Sequence, residues 1–372
     1  MTDLNLADNA IVVNLDFGGF DTNEDIHEIT QLTISAGFEV AELVTSKRAT
    51  PHTKYFIGSG KLEEILLMKD SLEADILIFN HELTPSQERN IEKMTGMRVY
   101  DRTALILFIF SLRAKTYEGK LQVELAHLDH LSTRLVKGWS HLERQKGGIG
   151  IRGGPGEKQI ELDRRMLGLR IKQLKEKLRK LGQQRSMQRR ARKRSQALSI
   201  SIVGYTNAGK STLFNRLTHE SILAEDKLFA TLDTTSRKLF IESGHNVVIS
   251  DTVGFIKDLP TTLIEAFKST LEEVTDSDLL VHVVDVSNEN KSEQINEVGK
   301  ILEEINAHNL PQILVLNQID KINLKTGCER DDYGKINHIQ LSAKTGDGIE
   351  FLKQAMVEYN QTRINQRNGH YA

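Results

Sequence analysis

The stretch LSISIVGYTNAGKSTLFNRLT, residues 198–218, constrains the fold more than any other part of this chain. An apolar, β-rich run leads into Gly204-x-x-x-x-Gly209-Lys210-Ser211, and an amphipathic helical pattern follows at once. That order is the strand, phosphate loop and helix of a P-loop domain, which is built on a doubly wound, mostly parallel sheet. Its glycines let backbone N–H groups approach phosphates, and the helix N-terminus adds its dipole. Lys210 reaches the outer phosphates and Ser211 holds magnesium. The cradle therefore spans Gly204, Tyr205, Thr206, Asn207, Ala208, Gly209, Lys210 and Ser211, with Thr212 behind it.

Further segments follow in the order that a GTP hydrolase requires. In DTVG, Asp251 holds magnesium through water, and the Gly254 N–H faces the γ-phosphate, with Thr252 and Val253 between them. Asn317-Gln318-Ile319-Asp320 ends an apolar run, and a carboxylate there accepts from guanine N1–H and the 2-amino group. Adenine has neither donor, and an unpaired buried carboxylate is costly, so the site takes GTP and GDP. Ser342, Ala343 and Lys344 shape the same pocket, with the Ala343 N–H offered to guanine O6. The loop FATLDTTS must bring a threonine to magnesium and the γ-phosphate; Thr231 is taken, with Thr234 and Thr235 as polar filler. Ser211 and Thr231 are thus the direct metal ligands, and Lys210, Thr231 and Gly254 the catalytic set.

Three positions depart from the common pattern. Gln318 stands where such sites usually carry a lysine. Phe255 stands where Ras-type enzymes have the glutamine that orients the attacking water, and it has no hydrogen-bonding group. Asn207 reads either as a turn residue or as a ligand for a monovalent cation such as potassium.

With 372 residues the chain is too long for one core, and two or three domains are expected. A single cysteine, Cys328, excludes an internal disulfide and a cysteine-rich metal site. The acidic start MTDLNLADNA is no secretion signal. The longest apolar run, Ala104–Leu112, is about half the ~20 residues of a membrane helix. A cytoplasmic protein is the expectation, with membrane contact disfavoured.

From Ala10 to about Arg98, apolar runs such as AIVVNLDF, EVAELVTS and ADILIFN alternate with helical patterns, which predicts a small parallel sheet. Gly58-Ser59-Gly60-Lys61 lacks the spacing of a phosphate loop and reads as a turn opening a helix. Two long helical segments follow. Leu167, Ile171, Leu174, Leu178 and Leu181 form a coiled-coil seam in the second, and Leu121, Leu125, Leu128 and Leu135 a matching stripe in the first. An antiparallel hairpin is predicted, with Lys146–Glu157 as an irregular tip carrying six glycines and one proline. Between Arg164 and Arg194 stand fourteen basic residues and one acid, Glu176, although the whole chain has a net charge of −2. So lopsided a run points to an anionic polymer. Its lack of aromatics favours the backbone of folded RNA over single strands, and no DNA partner is expected.

On GSGK, residues 101–128, GGIGIRGGPGEKQIELDRR, GYTNAGKSTLFN, FATLD and DTVGFI, the chain resembles the HflX GTPases, within the Obg-like group. The resemblance covers nearly the whole chain and implies an α/β subdomain at 1–115, a helical arm at 116–196, a GTPase domain at 197–364 and a short tail at 365–372. It implies Phe229, Ala230, Thr231, Leu232 and Asp233 as the first switch and Asp251–Gly254 as the second. It further implies binding to the large ribosomal subunit and its RNA, and dissociation of stalled ribosomes under stress; a monomer is expected. The alternatives are a large-subunit assembly GTPase and an RNA-binding scaffold with a structural nucleotide. A metabolic kinase is disfavoured by Asp320. Some members carry a further C-terminal domain; little or none of it is expected here, because the chain ends soon after GIEFLKQAMVEYNQTRI.

Overall fold

The computed structural model describes residues 8–18, 22–145, 155–194, 197–218, 228–241, 246–257, 259–260, 263 and 266–368. The chain packs as two units, Met1–Leu178 and Arg179–Ala372. The division falls inside one long helix, Pro155–Arg194.

In the first unit, strands β1 (Asn9–Asp16), β2 (Glu39–Lys47), β3 (Ala74–Phe79) and β4 (Arg98–Tyr100) form an all-parallel sheet in the order β2-β1-β3-β4. Central β1 is buried at six consecutive positions, as a parallel strand covered on both faces must be. Helices α1 (Thr22–Ser35), α2 (Ser59–Ser71), α3 (Pro85–Thr95) and α4 (Arg102–Arg113) provide the cover. Gly58 to Lys61 open α2, and Lys61 pairs with Glu64. The apolar run 104–112 lies in α4 and buries Leu105, Ile106, Leu107, Ile109 and Phe110 in this unit's interior. No helix among the described residues is long and apolar enough to cross a membrane.

The arm consists of α5 (Tyr117–Gln145) and α6 (Pro155–Arg194). Leu121, Leu125 and Leu174 are buried, while Leu167, Ile171, Leu178 and Leu181 are half-buried among exposed neighbours, so the seam faces inward. Ion pairs Glu124–Arg170 at 2.6 Å and Asp129–Lys175 at 3.9 Å link the two helices. Near the root, Arg134 of α5 pairs with Asp101, the N-cap of α4, at 2.7 Å, and with Glu88 of α3. Of the predicted tip, residues 146–154 and the side chain of Leu135 lie outside the described residues. Pro155, Gly156 and Glu157 are helical instead of irregular, since proline at the first helical position has its φ already set.

In the second unit seven strands run in the order β10-β11-β9-β8-β5-β7-β6. They are β5 (Leu198–Gly204), β6 (Thr235–Phe240), β7 (Asn246–Asp251), β8 (Leu279–Asp285), β9 (Gln312–Asn317), β10 (Gly327–Arg330) and β11 (Ile336–Gln340). The inner five are parallel, and only edge strands β6 and β10 run antiparallel to their neighbours. Helices α7 (Lys210–Thr218), α8 (Lys268–Thr275), α9 (Lys291–Glu304) and α10 (Ile349–Asn368) complete the unit. Every sequence-predicted site segment except the first switch leaves the carboxyl end of a parallel strand: β5, β7, β9 or β11. That end of an open α/β sheet is where ligands bind.

Candidate nucleotide site

The phosphate loop holds its shape through close backbone contacts. Gly209 has φ +89°, and a Cβ there would lie 2.3 Å from Asn317 Nδ2, so only glycine fits. Asn207 is exposed with φ +61°, a left-handed turn conformation that asparagine tolerates. Ala208 is buried in the core, and Thr212 is half-buried at the start of α7. The Tyr205 hydroxyl accepts from the Lys257 N–H at 2.8 Å.

Lys210 is buried and donates to the Tyr205 carbonyl at 2.6 Å. Burial draws its ammonium down to about 8, against the opposing charge of Asp251. Burial pushes Asp251 the other way, upward, opposed by the Ser211 hydroxyl and by Lys210. The Ser211 Oγ lies 2.8 Å from Thr231 Oγ1 and donates to Asp251 Oδ2 at 2.7 Å. Asp251 Oδ1 is buried without a hydrogen-bond partner among the described residues. An all-oxygen set with one orphaned carboxylate oxygen suits magnesium, which prefers hard ligands and keeps part of its water. Of the three candidate threonines, Thr231 is the one brought to Ser211; Thr234 is half-buried and Thr235 begins β6. Phe229 and Leu232 are buried beside it, with Ala230 and Asp233 half-buried.

The base loops are tied to the phosphate loop. Asn317 donates to the Ala208 carbonyl at 2.8 Å, and Gln318 donates to the Asn207 carbonyl at 3.0 Å. Gln318, at φ +67°, thus braces two loops, a task that its short amide performs without a lysine's charge. Asp320 Oδ1 accepts from Ser342 Oγ at 2.6 Å, which orients the carboxylate. Ile319 is buried beneath it, and Lys344 is exposed. The Ala343 N–H differs from expectation: it donates to Asn317 Oδ1 at 2.8 Å, so reaching a guanine O6 requires sharing that hydrogen bond. One contributor carried no sequence signal. Arg216 of α7 donates to the carbonyls of Ala343 and Lys344 and so pins the base loop from behind. His282 of β8 is buried, and burial followed by the Lys210 charge holds its imidazole down to about 4, neutral at physiological pH.

In the second switch, Thr252 spends its hydroxyl on the Ile202 carbonyl at 2.6 Å, and Val253 is buried. Gly254 packs so closely that a Cβ would meet Thr206 Cγ2 at 2.7 Å. Phe255 turns away from the chemistry. Its ring is 1% exposed in a cluster with Val203, Leu271, Leu280 and Val298. Its backbone donates to the Gly204 carbonyl at 3.1 Å and accepts from the Thr206 N–H at 2.7 Å. It is a pin joining switch to phosphate loop. Phe255→Gln is therefore expected to gain no hydrolysis and to destabilise the fold by about 3 kcal/mol or more, read from denaturant unfolding, because an amide replaces a packed ring. Faster turnover in a fully stable variant would contradict this placement.

Comparison with known proteins agrees with this geometry. Family models match in succession: "GTP-binding GTPase N-terminal" at residues 23–111, "GTP-binding GTPase Middle Region" at 113–192 and "50S ribosome-binding GTPase" at 199–318. A GTP-binding protein of Sulfolobus solfataricus in complex with GDP is 26% identical, with a TM-score of 0.50 over 95% of this chain and 99% of that one. GTPase HflX of Caldanaerobacter subterraneus subsp. tengcongensis is 47% identical over 90% of this chain and 76% of its own length. GTPase HflX of Escherichia coli is 48% identical over 353 residues, 95% of this chain and 83% of that protein. With such likeness along almost its whole length, the chain belongs to the HflX family of GTPases and is a GTP hydrolase.

Proposed function

We propose that this GTPase binds the large ribosomal subunit and dissociates stalled or idle ribosomes, with GTP hydrolysis stimulated by the ribosome and serving to release the protein. The observation that carries the reading is the basic run of α6, fourteen cations to one acid between Arg164 and Arg194. Arg170 and Lys175 are engaged with acids of α5, while Arg164, Arg165, Lys172 and Lys177 are exposed. Such a face neutralises phosphates of folded RNA and makes binding steeply salt-dependent. The family model described as a 50S ribosome-binding GTPase, matched over residues 199–318, supports the same partner. The protein acts as a monomer in the cytoplasm.

In this reading the γ-phosphate orders the loops around Thr231 and Gly254, which favours the conformation that docks on RNA. Binding energy then separates the subunits. Lys210 and the backbone N–H groups of residues 204–211 hold the phosphates, and Asp320 with Asn317 selects guanine. Ser211, Thr231 and Asp251 would hold a magnesium ion, which neutralises phosphate charge when bound. A monovalent cation at Asn207 belongs to the same reading; equal hydrolysis rates in potassium and sodium buffers, with Asn207→Ala as control, would remove it.

Light scattering of intact ribosomes mixed with this protein and GTP tests the proposal. A fall in scattering is expected, and also with a non-hydrolysable analogue. Large-subunit binding with no fall under either nucleotide would favour action on large-subunit precursors instead.

A further inference from the structure

A buried hydroxyl left without a hydrogen bond costs about 1–3 kcal/mol, so one retained inside a phosphate loop calls for a chemical reason. Thr206 is 6% exposed, and its Oγ1 has no partner among the described residues. Its backbone is not free to drift, since its N–H donates to the Phe255 carbonyl at 2.7 Å. Its methyl group is the atom nearest a Cβ built at Gly254, at 2.7 Å, and Lys210 Nζ stands 3.1 Å from the same point. Thr206 is thus wedged between the phosphate loop, the lysine of the outer phosphates and the glycine of the second switch. The other orphan of this cluster, Asp251 Oδ1, belongs with the metal oxygens. The cradle uses the backbone of Thr206 and leaves its hydroxyl without a role, and the side chain that would handle the water, residue 255, is a phenylalanine buried in the core.

We propose that Thr206 Oγ1 orients the attacking water, in place of the glutamine that this chain lacks. A hydroxyl has one donor and two acceptor lone pairs, so it can accept a hydrogen from the water while donating to a γ-phosphate oxygen. The water oxygen forms the bond to the γ-phosphorus. The bond from that phosphorus to the bridging oxygen breaks, its electron pair leaves with GDP, and the water's proton ends on inorganic phosphate. Thr206 is returned unchanged. The inference deepens the reading of Lys210 and Gly254 as the γ-phosphate site and does not depend on the ribosomal role.

The test uses the full chain without ribosomes, so its failure leaves the ribosomal reading standing. Thr206→Val replaces the hydroxyl by a methyl of similar size and keeps the packing on Gly254; Thr206→Ser restores the hydroxyl and drops the methyl. Single-turnover hydrolysis of GTP is measured beside fluorescence titrations with labelled GDP and a labelled non-hydrolysable GTP analogue. Thr206→Val is expected to slow hydrolysis about 10–100-fold while both affinities stay within about twofold, and Thr206→Ser to remain within about threefold of the parent rate. Unchanged GDP affinity also reports that each variant is folded. The proposal is overturned if Thr206→Val hydrolyses GTP at the parent rate, or if Thr206→Ser is slowed as much as Thr206→Val. It is equally overturned if analogue affinity falls by the same factor as the rate, which would make the hydroxyl a ground-state phosphate contact.

Discussion

Lys210→Ala should lower single-turnover GTP hydrolysis by on the order of 10²–10³-fold, the effect of removing one preorganised donor from developing phosphate charge. The expectation rests on where the ammonium is held. Lys210 is buried, beside Asp251 and within 3.1 Å of the point where a Gly254 side chain would begin. The same burial gives the variant a second signature. Solvent exclusion has drawn the lysine down to about 8, so the charged form is less favourable in the fold than in the unfolded chain, and at pH 7 that cost is present. Removing the charge relieves it. The nucleotide-free variant should therefore unfold at an equal or higher denaturant concentration than the parent, as expected where stability is given up for activity. Hydrolysis within tenfold of the parent, measured by phosphate release, would sink this assignment.

Asp320→Asn should weaken GDP and GTP binding by roughly 10²–10⁴-fold, since two charge-assisted hydrogen bonds to guanine are lost at about 1.5–3 kcal/mol each. It should also improve binding of xanthosine diphosphate, whose 2-oxo group accepts from the new amide. Ser342 holds the carboxylate at 2.6 Å, and that hydrogen bond persists in the variant, so the base loop keeps its form. Calorimetric titration with the two diphosphates separates the outcomes. Equal loss of both ligands would indicate a collapsed loop, and unchanged GDP affinity would mean that Asp320 does not read the base.

Individual residues show how much was legible before any coordinates. The strand, loop and helix around Gly209 and Lys210 were readable because the motif is local: its glycines, lysine and serine act within eight residues of one another. A small parallel sheet in the first unit was equally readable, since β1 and β3 are continuous apolar runs separated by helical periods, whereas the three-residue β4 left no such run. The seam of α6 followed from spacing alone. The start of α6 did not: the glycines around Pro155 suggested an irregular tip, and the proline's fixed φ began the helix earlier.

The sequence alone determined the class of chemistry, a guanine nucleotide held at its phosphates, because those contacts use short motifs with fixed donors. Only the tertiary structure decided what Phe255, Gln318, Arg216 and Thr206 do. Phe255 is spent on the core, Gln318 braces the phosphate loop, Arg216 pins a loop 127 and 128 residues away, and Thr206 packs its methyl on Gly254 while its hydroxyl stays buried. The physical reason is that a side chain's role depends on which partner its tip reaches. Partners brought together across the sheet from distant segments leave no periodicity or spacing in the chain.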